Sequence, residues 1–127
     1  MTKEERTLVI KDICARLPYG VKMCSIYNDG FGSISTEGIY ILKPTDMYYR
    51  CCDEDEDIPY LRPLSSITKS EKEEYQYLCD YFIDSDENKY YFNNCATIDW
   101  YNQKHFDYRG LIKLGLALEA PEGMYDK

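Results

Sequence analysis

The chain has 127 residues, which suits one domain and is short for two. Lys and Arg number 15 against 23 Asp and Glu, a formal net charge of −8. That balance, with no two basic residues adjacent, argues against a nucleic-acid binder, which presents a Lys/Arg face to phosphates.

In chain order, Thr2-x-x-Glu5 has the form of a capping box, and Ile10, Ile13, Cys14 and Leu17 follow as one apolar stripe. These predict a helix over 4–16, closed by Leu17-Pro18-Tyr19-Gly20. Val21–Tyr27 and Ser33–Lys43 read as an antiparallel hairpin about Asn28-Asp29-Gly30. Met47–Cys52 is a third strand candidate, and Ile58–Pro63 reads as an extended segment whose two prolines suit an edge or a crossing. Thr68-x-x-Glu71 and Ser70-x-x-Glu73 both fit a capping box, ahead of an apolar face of Tyr75, Leu78, Cys79 and Phe82. Asp84–Asn88 is a turn and Lys89–Asn93 a short strand. Asn94 or Thr97 can cap a helix running to about His105, and Asp107 a short one over Tyr108–Leu114 that Gly115 ends. Leu116–Ala120 is a closing strand. The order predicts a single α+β domain over 1–127, a small antiparallel sheet packed with three to four short helices.

Leu, Ile, Val and Phe total only 27, so 14 Tyr and one Trp must complete the bulky apolar set, and a tyrosine-rich core is expected. No apolar stretch approaches the ~20 residues of a membrane span. Met1–Arg6 lacks the apolar region of a secretory leader, so a cytoplasmic protein is expected. The six Cys include no Cys-x-x-Cys, and there is a single His, so a zinc site lacks ligand pairs. The thiols read as small apolar groups, with at most one of Cys51 and Cys52 buried. No metal or cofactor is expected.

The negative charge is local. Residues 45–100 hold 14 acids and 5 bases, together with 8 of the 14 Tyr. The densest point, Asp53-Glu54-Asp55-Glu56-Asp57, reads as an exposed, solvated loop, since five like charges resist burial. It lacks the alternating acids and central Gly of a calcium loop. Tyr48, Tyr49 and Tyr60 flank it. Tyr is enriched at binding surfaces, so these eight residues form the candidate face for a basic protein partner.

The segment Asp99–Ile112 resembles a group of small proteins encoded by gut Bacteroidales and their phages or mobile elements. Cys14–Val21, Tyr60–Ser66 and Gly115–Met124 match the same group in the same order, about a third of the chain in all. The resemblance implies a cytoplasmic protein of a gut bacterium or its phage. The group brings no established reaction, so no catalytic residue is carried over.

Three functions are compatible with these readings. The leading one is a non-enzymatic factor that engages a host protein through the acidic, tyrosine-rich face, without nucleic acid or membrane. The second is a small-molecule binder whose Tyr side chains stack a base, with Arg50, Arg62 or Arg109 facing into a pocket. The third is an enzyme built on His105, Asp107 and a Cys; a helix-terminal His beside an N-cap Asp explains the first two residues more simply. Arg109-Gly110 reads as part of an ordinary capped helix rather than an anion site. Gly30 and Gly32 lack the Lys of a phosphate loop.

Overall fold

The computed structural model describes residues 2–28, 34–50 and 57–126, with 25–28, 34–37 and 48–50 as backbone only. Helix α1 spans Lys3–Arg16 and starts where the sequence places it. The Thr2 hydroxyl accepts from the Glu5 N–H while the Glu5 carboxylate accepts from the Thr2 N–H. Its buried face differs from the expected stripe. Val9, Asp12, Ile13 and Arg16 are buried, Ile10 and Leu17 only half-buried, and Cys14 is exposed. The helix is rotated because Asp12 and Arg16 find partners inside, described below.

Strands β1 (Lys22–Asn28) and β2 (Ile34–Ile41) pair antiparallel, with a bulge between Ser25 and Ile26. Strand β3 (Ile58–Leu61) pairs antiparallel with β1, and β6 (Leu118–Glu119) pairs parallel with β3, in the order β2-β1-β3-β6. The sheet is therefore mixed rather than wholly antiparallel, within the expected α+β class. The two-proline segment lies inside the sheet rather than on its edge. Ile58 and Pro59 are in register with Cys24 and Met23 of β1, and Tyr60 and Leu61 with Leu118 and Glu119 of β6.

Two further elements depart from expectation. Met47–Arg50 of the expected third strand lies in helix α2, which spans Pro44–Arg50, while Cys51 and Cys52 and their expected burial lie outside the described residues. Pro44 closes β2 yet also suits the first helical position, and the Asp46 carboxylate accepts from the Lys43 N–H. Tyr108–Leu114 forms successive turns instead of a helix. Gly110 adopts a φ of 76°, which no helical run accommodates.

Helix α3 (Lys69–Leu78) is capped by the Thr68/Glu71 box, and α4 (Cys95–Lys104) by Asn94. Between them β4 (Asp80–Ile83) and β5 (Lys89–Phe92) form a separate two-stranded sheet. The core is more aliphatic than expected, built on Val9, Ile13, Val21, Met23, Leu42, Leu61, Leu111, Leu116 and Ala117. Tyrosines join an aromatic layer beside it, where Tyr75 and Tyr101 pack around Trp100 and Tyr108 stacks on Tyr101. Of the thiols, Cys24 and Cys79 are buried while Cys14 and Cys95 are exposed. Among the described residues no helix is long and apolar enough to cross a membrane.

Candidate functional site

The structure divides the face expected from Tyr48, Tyr49, Asp53–Asp57 and Tyr60. Tyr48 and Tyr49 lie on α2, and their side chains fall outside the described residues, as do residues 53–56 entirely. Asp57 is not an exposed acid. It is 3% exposed, and its carboxylate accepts from the Tyr40 hydroxyl at 2.7 Å. Its carbonyl accepts from the Arg6 guanidinium at 2.9 Å. A carboxylate with donors at hand tolerates burial where a bare one does not. Tyr60 is half-buried in β3, and burial, then the Cys24 thiol beside it, raises its hydroxyl pKa. Asp57 and Tyr60 thus belong to the packing of the fold.

The residues singled out near the C-terminus form a buried polar network. The Arg16 guanidinium donates twice to Asp12, at 2.9 and 3.2 Å, and to the Phe106 carbonyl at 2.6 Å. Arg109 donates to Asp12 at 3.0 Å and to the Tyr108 hydroxyl at 2.9 Å, and Tyr108 in turn donates to Asn102. Arg109 is therefore held inside this network and does not face an anion site. The Asp107 carboxylate accepts from the N–H groups of Leu111 and Ile112, at 2.8 and 3.0 Å, and so fixes the turns after it.

His105 closes α4 in the left-handed region, with φ 62°. Its Nε2 lies 3.0 Å from the Tyr19 carbonyl, so Nε2 carries the proton of the neutral ring. Its Nδ1 is buried without a hydrogen-bond partner, and the ring stacks on Tyr125 at 3.9 Å. Neither nitrogen reaches Asp107, so the two do not form a base and its orienter. Burial, then the charge of Arg16, pushes the imidazole pKa down to about 4. In the unfolded chain the ring protonates near its ordinary 6.5. Between these values the unfolded state binds the extra proton, so stability falls as pH drops from 6.5 toward 4. The carboxylates with lowered pKa begin to contribute only below about pH 5.5, so among the groups with shifted pKa the histidine stands alone at about pH 5.5–6.5. His105→Asn, which tolerates the left-handed backbone, should give a flatter thermal midpoint against pH across that window. An unchanged slope would assign the dependence elsewhere.

Two adjoining recesses of about 500 and 450 Å³ share Arg62, Met124, Tyr125 and Asp126. The larger also meets Tyr19, Lys22, Glu71 and His105. This is the nearest match to the expected tyrosine-lined pocket with an inward Arg. Its groups are already engaged. Arg62 donates to both Glu71 oxygens at 2.8 Å and lies 4.2 Å over the Phe106 ring. That pairing holds the Glu71 carboxyl down at about 2. Tyr125 has one face on His105, and its hydroxyl donates to the Tyr60 carbonyl at 2.6 Å, with burial raising its pKa to about 12. The Lys22 ammonium donates to the Met124 carbonyl at 2.6 Å. The C-terminal segment lines both recesses, and the cation and ring that a stacked base would use already hold protein partners.

The β4–β5 hairpin has the opposite character. Every residue of both strands is exposed. Tyr81, Phe82, Ile83, Tyr90, Tyr91 and Phe92 are each 46–59% exposed, and Tyr77 at the end of α3 is 91% exposed. The register pairs Tyr81 with Tyr91 and Phe82 with Tyr90, the latter rings stacked at 5.1 Å. Lys89 lies 3.9 Å over the Tyr81 ring. Both sheet faces thus carry aromatic side chains. Phe82, expected on the apolar face of a helix, lies instead in β4, which the sequence pattern above does not include. The available signal was Tyr81-Phe82-Ile83 and Tyr90-Tyr91-Phe92 flanking the polar run 84–88, a hairpin pattern.

These features define a small α+β protein with a polar seam at its C-terminal segment and an aromatic two-stranded sheet. Comparison with family models, curated proteins and solved structures finds no match.

Proposed function

We propose that this chain is a non-enzymatic binding protein that engages another protein chain, and that it does so through the β4–β5 hairpin. The observation that carries this reading is the run of six half-exposed apolar side chains on a sheet of only two strands. Such a sheet is marginal in water by itself, and contiguous exposed apolar surface marks interaction sites. Aromatic side chains supply much contact area at low entropic cost. An accessory factor of a gut Bacteroidales phage or mobile element, the setting implied by the sequence resemblance, is part of the same proposal.

A photo-crosslinking residue in place of Tyr91 tests it. It should yield a discrete protein adduct in cells, and the same residue in place of the exposed Glu4 at the start of α1 should not. Equal labelling at both sites, or none at Tyr91, would overturn the reading. Binding of a small ligand in the Arg62–Tyr125 seam is the weaker alternative, since its cation and rings are already committed to protein partners.

A further inference from the structure

We infer that the partner of the hairpin is a second copy of this chain, joined edge to edge through β5 in a two-fold antiparallel pair. This rests on the reading that the hairpin is the binding surface. Two observations support the choice of occupant.

The first is the backbone. The Asp84 N–H donates to the Asn88 carbonyl at 3.0 Å. In the alternating antiparallel pattern Phe82–Tyr90 and Asp80–Phe92 are then the hydrogen-bonded pairs. Lys89 and Tyr91 consequently turn their N–H and C=O groups away from β4. They form an open edge with neither Pro nor bulge, and Lys89 is its one charged side chain.

The second is charge. A two-fold axis through Tyr90 sets Lys89 opposite the partner's Tyr91, where an ammonium meets an aromatic ring. This repeats the contact Lys89 makes with Tyr91 in its own chain, at 5.4 Å. No like charges oppose one another along the strand. The same operation on β4, centred on Phe82, would oppose Asp80 to the partner's Asp84 at both ends. In the register that mirrors the β5 pairing, the charges favour β5 over β4.

The test uses the purified full chain in sedimentation velocity and light scattering. A concentration-dependent dimer is expected, tightened by salt that screens the net charge of −8 on each copy. Tyr91→Lys sets ammonium groups opposite one another at both ends and should weaken the dimer about tenfold or more. Lys89→Glu/Tyr91→Lys opposes unlike charges and should recover it. Ile83→Lys, on the β4 edge, should leave it intact, and circular dichroism checks the fold of each variant. A monomer at all concentrations, or a dimer indifferent to Tyr91→Lys, would overturn the inference. If the chain is monomeric while the Tyr91 crosslinker captures a different protein, the hairpin remains the binding surface and only the second copy is excluded. If it is monomeric and captures nothing, both readings fail.

Discussion

Asp12→Ala is expected to destabilise the fold by about 3–5 kcal/mol, a large part of the ~5–15 kcal/mol available to a domain. The Asp12 and Arg16 side chains are fully buried. Removing the carboxylate leaves the Arg16 guanidinium inside without its counter-charge, held only by the Phe106 carbonyl and, at 3.5 Å, the Tyr101 carbonyl. Arg109 retains some solvent access and can rehydrate. Asp12→Leu/Arg16→Met removes both charges of the pair and should be milder than Asp12→Ala alone, because no uncompensated ion remains in the interior. Urea unfolding of the three proteins checks the order. If the single variant is as stable as wild type, the network contributes little to folding.

Phe106→Ala should cost about 3–5 kcal/mol. The ring is fully buried, stacked against Trp100 at 5.4 Å and covered on one side by the Arg62 guanidinium at 4.2 Å. Loss of the ring leaves a cavity where helix α4, strand β3 and the C-terminal turns meet. The backbone of this residue would remain tied, with its carbonyl on Arg16 and its N–H on Tyr101. The damage should therefore be to packing, and Phe106→Leu should restore roughly half the stability. Thermal and urea unfolding read the effect. Equal losses for Ala and Leu would show that the aromatic stack matters more than the filled volume.

Local chemistry was the legible part of the fold. The capping residues Thr2, Thr68 and Asn94 and the 84–88 turn act within a few residues of themselves, so their positions hold. Pro44 was ambiguous because proline both ends strands and begins helices, and tertiary context settled it as α2. The rotation of α1 was hidden for another reason. Asp12 and Arg16 look like solvated helix residues until the partners of Arg16 and Asp12 near residues 106–109 are brought to them. Composition correctly indicated that tyrosines fill space, but not which ones. Tyr101 and Tyr108 pack inward on either side of a turn, while Tyr77, Tyr81, Tyr90 and Tyr91 stand outside. Of the eight residues proposed as a binding face, Asp57 and Tyr60 serve the interior. Tyr48 and Tyr49, on α2, are described by backbone only, and residues 53–56 lie outside the described residues.

The links of Arg16 to Phe106 and of Asp12 to Arg109 join residues 90 and 97 positions apart. Lys22 and Tyr125 are separated by 103. A ribosome that has delivered α1 and β1 has made a helix with two charges aimed at an interior that does not yet exist. Those charges stay hydrated until the last fifth of the chain emerges, which keeps the early segment soluble and postpones its docking. Assembly of the sheet and helix thus waits for the C-terminal turns to arrive. Such distant closures favour slow, concerted folding over stepwise growth from the N-terminus.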